Sequence, residues 1–253
     1  MSPETSFEIE LSTAVAPDQT LLVGLASPGM GALTVVDHLV RQQESEQIGH
    51  ISPADLPTVT PFENGVPRHH TRLYNLTESD FIVLVSELLL PVWAARSFAD
   101  HLTAWVEKVD IEEIAMFHSV PYPHGPEEHD VFYVATEEYR ETRLKGTEMP
   151  TLSGGFLDGL PAEIVTRGLD GDGTPAGVFV TPAHPPGPDV DGALLFLDAI
   201  EEAYELTVDR KELEELSENI KKHYEALAER MQAVSESDEA RAEREFYADR
   251  MYM

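Results

Sequence analysis

Residues 20–26, TLLVGLA, form an uninterrupted apolar block that runs through SPGMG (27–31) into ALTVVDHLV (32–40), where the apolar positions take helical spacing. A short apolar run bounded by turn residues reads as a buried strand. The stretch after it reads as an amphipathic helix. Strand, glycine-rich turn and helix together open an α/β unit. The same grammar repeats along the chain. QIGHI (47–51), TRLYNL (71–76), FIVLV (81–85), IEEIAMF (111–117), VFYVA (131–135) and AGVFVTP (176–182) read as strands. Pro91 suits the first turn of a helix that reaches about Val109, and LSGGFLDGLPAEIVTRGL (152–169) reads as a glycine-rich entry into another, with Pro161 limiting its start. The Pro-rich stretch 53–67 is expected to be a loop or irregular edge. The fold expected is therefore α/β, with a mostly parallel or mixed central sheet flanked by helices.

The pattern changes after PAHPPGP (182–188), beyond which no strand is expected. Asp189 stands as an N-cap before Val190, Ala193, Leu194, Leu197 and Ile200. Asp209 with Glu212 resembles a capping box that opens a second helix. The apolar positions of that helix, Leu213, Leu216, Ile220, Tyr224, Leu227, Met231 and Val234, fall three or four apart, close to the coiled-coil period. It packs either on its own protomer or against a second subunit. The domain reading is an α/β core over 1–184, a helical extension over 185–234 and a charged tether over 235–253.

Composition excludes several functions. The chain of 253 residues carries 47 Asp and Glu against 17 Lys and Arg, a formal net charge of −30. Such a surface repels nucleic acid and anionic membrane. With 42% hydrophobic residues gathered in strand-like blocks, the chain is not an acidic disordered polymer. A carboxylate-dense, lysine-poor surface resembles proteins of salt-loving archaea, where salt screens self-repulsion. There is no cysteine, which excludes disulfides, thiolate metal sites and cysteine nucleophiles. No signal-peptide pattern opens the sequence. The longest apolar stretch, FIVLVSELLLPVWAA, is interrupted by Ser86, Glu87 and Pro91, so the expectation is a cytoplasmic protein.

Candidate sites are few. Gly29 and Gly31 place backbone N–H groups at a helix N-terminus that could hold an anion; the alternative is a tight turn that needs glycine for steric reasons. No Lys-Ser or Lys-Thr follows, so the turn is not a P-loop. His118, His124 and His129 crowd one loop with Glu127, Glu128 and Asp130, without a regular ligand spacing; a solvated loop is the simpler reading, and no metal or cofactor is expected. His69 and His70 would point to opposite sides of an extended segment. Ser153 is a nucleophile only in the sense that any serine among glycines is. Glu87 and Arg96 stand at a strand end, where α/β sheets hold ligands.

Four blocks then carry a resemblance: SPGMG (27–31), PFENGVPRHHTRLYNL (61–76), GGFLDGLPAEIV (154–165) and PPGPDVDGALLFLDAIEEAYELTVDRKELEELSENI (185–220). In this order and spacing, over about 7–234, the chain resembles the proteasome assembly chaperone family in its archaeal and bacterial form, the group named after the second eukaryotic assembly chaperone. The resemblance implies a non-enzymatic α/β protein with a helical extension that forms homo-oligomers. It also implies a partner, the alpha ring of the core proteasome, which some archaeal members reach through a C-terminal hydrophobic-Tyr-X motif. Here Met251, Tyr252 and Met253 match that motif. The acidic surface gives the chain the look of a haloarchaeal member. A terminal carboxylate can pair with a pocket lysine, Tyr252 adds a rigid ring with a hydroxyl, and Met251 adds an adaptable hydrophobe. The tether could reach about 24 Å as a helix or about 50 Å extended. A nucleotide- or small-molecule-binding enzyme working at the C-terminal edge of the sheet is the alternative.

Overall fold

The computed structural model describes residues 5–57, 59–122, 125, 129–169, 173–184 and 188–223. The chain divides into two compact units, Met1–Arg210 and Lys211–Met253. The first holds β1 (Phe7–Leu11), β2 (Gln19–Leu25), α1 (Gly31–Gln42), β3 (Ser45–Pro53), β4 (Phe62–Glu63), β5 (Val66–Pro67), β6 (Thr71–Leu76), β7 (Phe81–Ser86), α2 (Val92–Val109), β8 (Ile111–Val120), β9 (Phe132–Ala135), α3 (Glu137–Thr142), α4 (Gly159–Arg167), β10 (Ala176–Pro182) and α5 (Val190–Tyr204). In the second, the described residues 211–223 are helical and carry the i,i+4 pairs Lys211–Glu215 and Lys222–Glu218.

Eight strands form one sheet in the order β1-β3-β6-β7-β2-β8-β10-β9. The four central strands, β7, β2, β8 and β10, run parallel. Antiparallel partners finish both sides: β6, β3 and β1 on one, β9 on the other. The sheet is thus mixed, with a parallel centre covered by helices. Burial follows the same division. Every residue of β7 and β10 is buried, as expected of strands covered on both faces.

Side-chain alternation assigns the two faces. Leu21, Val23, Ile82, Leu84, Ile114, Met116, Val178 and Val180 pack with Phe98, Leu102 and Val106 of α2 and with Leu160 and Ile164 of α4. On the other face, Phe117 meets Phe179 at 5.6 Å and Phe196 of α5 at 5.4 Å between ring centroids. Each such buried side chain contributes on the order of 1.5–3 kcal/mol relative to exposure. Gly24 sets how closely α1 lies on β2. A Cβ there would fall 2.4 Å from the Ala32 carbonyl oxygen and 2.3 Å from Val36 Cγ2.

Four features add to or differ from the sequence reading. β1 and α3 were not expected, and the Pro-rich 53–67 stretch contains the small antiparallel pair β4–β5. Its turn is Asn64-Gly65 with φ of 50° and 81°, the left-handed pair that a two-residue hairpin demands. α5, read as the opening of an extension from 185, packs on α1 and β10 and falls in the first unit. Its N-cap is Asp189, as the sequence indicated. The tether, 235–253, lies outside the described residues.

Candidate functional site

The four parallel strands end on one edge, and the residues singled out in the sequence are concentrated there. β2 leads into the Gly29–Gly31 turn and α1. β7 ends at Ser86 and Glu87. β8 ends with His118, Ser119 and Val120, and β10 leads to His184 and Asp189.

Gly29 has φ +75° and Met30 has φ 57°, so the turn reverses through two left-handed residues. The space at both glycines is filled. A Cβ on Gly29 would lie 3.1 Å from Asp189 Cβ, and one on Gly31 would lie 3.1 Å from Ser119 Oγ. Asp189 N–H donates to the Gly29 carbonyl at 2.6 Å. Its buried carboxylate accepts from Gly192 N–H at 2.9 Å, and from His184 N–H and Nδ1 at 2.9 and 2.8 Å. The glycines thus meet a packing requirement, beside a carboxylate that already supplies negative charge. The His129 ring stands edge-on to His184, centroids 4.6 Å apart.

Glu87 finds its partner in β6. Arg72, 1% exposed, donates to Glu87 through both terminal nitrogens at 2.9 and 2.8 Å, to the His69 carbonyl at 2.6 Å and to Tyr74 Oη at 3.0 Å. Arg68 adds a 3.4 Å contact to the same carboxylate. Arg96, which shares a sequence neighbourhood with Glu87, pairs instead with Glu163 of α4 at 3.4 Å. His70 Nδ1 lies 2.8 Å from Thr71 Oγ1, which lies 2.6 Å from Ser86 Oγ. His69 stacks on His50 at 3.5 Å. Burial lowers the pKa of His69 and His70; the His50 ring adds to this at His69, and the Glu87 charge opposes it at His70.

His118 faces the α2–α4 side and has no hydrogen-bond partner among the described residues. Burial lowers its pKa, with the Asp158 charge acting the other way. The histidine loop therefore divides: His118 stands apart, His129 meets His184, and His124 lies outside the described residues. No group of three or more His, Asp or Glu among the described residues is placed to hold a metal ion. Ser153 is exposed. No helix among the described residues is long and apolar enough to cross a membrane.

Apolar side chains crowd the same edge. Leu89 and Val92 are 69% and 65% exposed, and Phe156, 99% exposed, stands beside Val134 and Leu152 instead. Sequence reasoning missed these exposed side chains. Their signal was Phe156 in a Ser-Gly-Gly-Phe segment and Leu89 ahead of a proline, where neither falls in a periodic apolar face. Met251, Tyr252 and Met253 lie outside the described residues.

Comparison with solved structures places the fold among known ones. The chain is similar to Pyrococcus furiosus PbaA, an archaeal homolog of proteasome-assembly chaperone, at TM-score 0.77 and 17% identity, over 97% of this chain and 99% of that one. It is similar to Pyrococcus furiosus PbaB, an archaeal proteasome activator, at TM-score 0.74 and 16% identity, over 88% and 99%. A protein of unknown function from Thermoplasma acidophilum gives TM-score 0.69 and 25% identity, over 85% and 91%. No curated protein matches. The PAC2 family model matches residues 21–228, from the first central strand into the C-terminal helical segment, and the chain belongs to the PAC2 family.

Proposed function

We propose that this chain is a non-enzymatic, proteasome-related factor that binds the core proteasome, as an assembly chaperone or as an activator. The observation that carries the reading is the family match over 21–228, supported by the likeness of the whole fold to an assembly-chaperone homolog and to an activator. PAC2 proteins of this kind are non-catalytic, so the enzyme alternative gives way.

The contact is assigned to Met251, Tyr252 and Met253, which would enter pockets of the alpha ring. One such tail binds weakly. Several tails on a homo-oligomer raise the effective concentration and give avidity where the tethers span the pockets. Two chemical facts suit this mode. A chain end enters a pocket without threading a loop, and Met251 and Tyr252 bring apolar area beside a single carboxylate that a pocket lysine can pair.

The test is capture of a haloarchaeal core proteasome on the immobilised chain in molar KCl, with the Tyr252→Ala variant alongside and a peptide of residues 244–253 as competitor. Capture that the peptide displaces and that Tyr252→Ala loses supports the assignment. Equal capture by both proteins, unaffected by the peptide, moves the contact away from the tail.

A further inference from the structure

A cavity of about 390 Å³ lies between the end of β3, the Pro-rich stretch that follows it and residues 67–70. Its volume is within the range of small-molecule pockets. Leu56, Val59 and Pro67 give it apolar walls, and Arg68, His69 and His70 are its titratable groups. In a chain with 47 acidic residues, no carboxylate is among its described lining residues.

The neighbours of His70 decide where its proton sits. His70 is 9% exposed, and burial lowers its pKa, which keeps the ring neutral near pH 7. Its Nδ1 lies 2.8 Å from Thr71 Oγ1, which lies 2.6 Å from Ser86 Oγ. Ser86 Oγ accepts from Leu88 N–H at 3.2 Å. Thr71 and Ser86 are buried, and each hydroxyl has a single proton to place. Among the described residues the Ser86 proton has one acceptor, Thr71 Oγ1, which leaves His70 Nδ1 as the acceptor for the Thr71 proton. The reverse direction would bury the Ser86 O–H without a partner, which is costly. The relay therefore makes Nδ1 an acceptor and holds the proton of neutral His70 on Nε2. Nε2 has no partner among the described residues, and His70 lines the cavity. A donor in that position is satisfied by what fills the cavity.

The charges nearby are already paired. Arg68 donates to Glu63 at 2.7 Å and to Glu87 at 3.4 Å, and its Nε is buried. Arg72 holds the same Glu87 from the other side. His69 stacks on His50, which pairs with Glu10 at 3.2 Å. The cavity thus offers a neutral donor beside apolar walls, with no lining cation free to take a counter-ion.

We propose that this cavity binds an uncharged molecule with an apolar body and a carbonyl group, whose oxygen accepts from His70 Nε2–H while the body lies against Leu56, Val59 and Pro67. A carboxylate would bring an unpaired charge to a chain already at −30. An ammonium has no lone pair to offer the Nε2–H. The site needs neither the tail nor the proteasome, so it stands or falls separately from the proposed function.

The experiment titrates cyclohexyl methyl ketone, cyclohexanecarboxylate and cyclohexylmethylamine into the full chain in molar KCl near neutral pH. Ring nitrogen signals of labelled histidine report the tautomer and the binding, with His70 assigned from the His70→Phe variant. In the free protein the His70 proton is expected on Nε2. The ketone should bind saturably and shift that nitrogen, at least about fivefold more tightly than the carboxylate or the amine. His70→Phe, followed by calorimetry, should bind the ketone about tenfold more weakly. Thr71→Val keeps the shape but breaks the relay. It should weaken the ketone about threefold, with the His70 proton no longer confined to Nε2. A His70 proton on Nδ1 in the free protein, equal or tighter binding of the carboxylate or the amine, unchanged affinity in either variant, or no saturation by the ketone up to about 20 mM overturns the proposal.

Discussion

At the scale of single residues, Arg72 is the most consequential charge in the fold. It is buried, and its bonds tie β6 to the end of β7 through Glu87. Arg72→Met strands Glu87 and is expected to cost about 3 kcal/mol in urea unfolding; the double variant Arg72→Met/Glu87→Leu should recover much of that, because removing both charges also removes their desolvation penalty. Titration gives a second expectation. Burial is the leading cause of the lowered pKa of His69, His70 and His118. The unfolded chain therefore takes up protons first as pH falls below about 6.5. Stability that is fully present above that pH is lost as pH falls through the lowered folded-state values. A urea midpoint measured against pH should decline below about 6.5, and His118→Gln should flatten the decline. Glu113 acts in the opposite sense. Burial raises its pKa against the pull of Arg143, so its contribution falls as pH rises through and above the usual carboxylate range. None of these partnerships was legible in the sequence. Glu87 was noticed beside Arg96, whereas its partner lies on the neighbouring antiparallel strand, where register decides the meeting.

At the scale of elements, the strands and helices that were legible are those with apolar blocks or periodicity: β2, β3, β6 to β10, α1, α2, α4 and α5. β1 was missed although FEIEL alternates apolar and acidic residues at the strand period; at five residues, on the sheet edge and buried fully only at Phe7, it offers no apolar block. α3 was missed because six residues give no period to read. It is held by tertiary contact instead. Tyr139 is fully buried, its hydroxyl lies 2.6 Å from that of Tyr204, and Gly177 of β10 leaves the space for its ring. A Cβ on Gly177 would fall 2.3 Å from Tyr139 Cε1, so Gly177→Ala should displace the ring and cost about 2 kcal/mol. Tyr139→Phe keeps the ring and should cost about 1 kcal/mol. Near-UV circular dichroism alongside urea unfolding separates the two. A small effect of Gly177→Ala, with the tyrosine signal unchanged, would mean that α3 is not seated by that contact.

At the scale of the whole molecule, charge and architecture act together. The α/β core matches the PAC2 family, and the acidic excess is spread along the sequence rather than confined to one segment. Self-repulsion at a formal net charge of −30 is screened by salt, so the melting temperature should rise steadily from dilute buffer to molar KCl. A flat response would show that the carboxylates are compensated within the fold. The class of fold was legible because apolar blocks alternate with helical ones; the site was legible only in part. The sequence directed attention to Gly29, Gly31 and Glu87, and all three stand at the C-terminal edge. The cavity at His70 depends on residues 56–60 folding back on 67–70, which no local pattern reports.

The measurement that bears most directly on the central claim is the affinity of the core proteasome for the full chain and for a chain ending at residue 250, in molar KCl and with oligomeric state checked for both. Removing Met251, Tyr252 and Met253 is expected to lower affinity at least about tenfold, equivalent to about 1.4 kcal/mol, with assembly and folding unchanged. Affinities equal within error would contradict it.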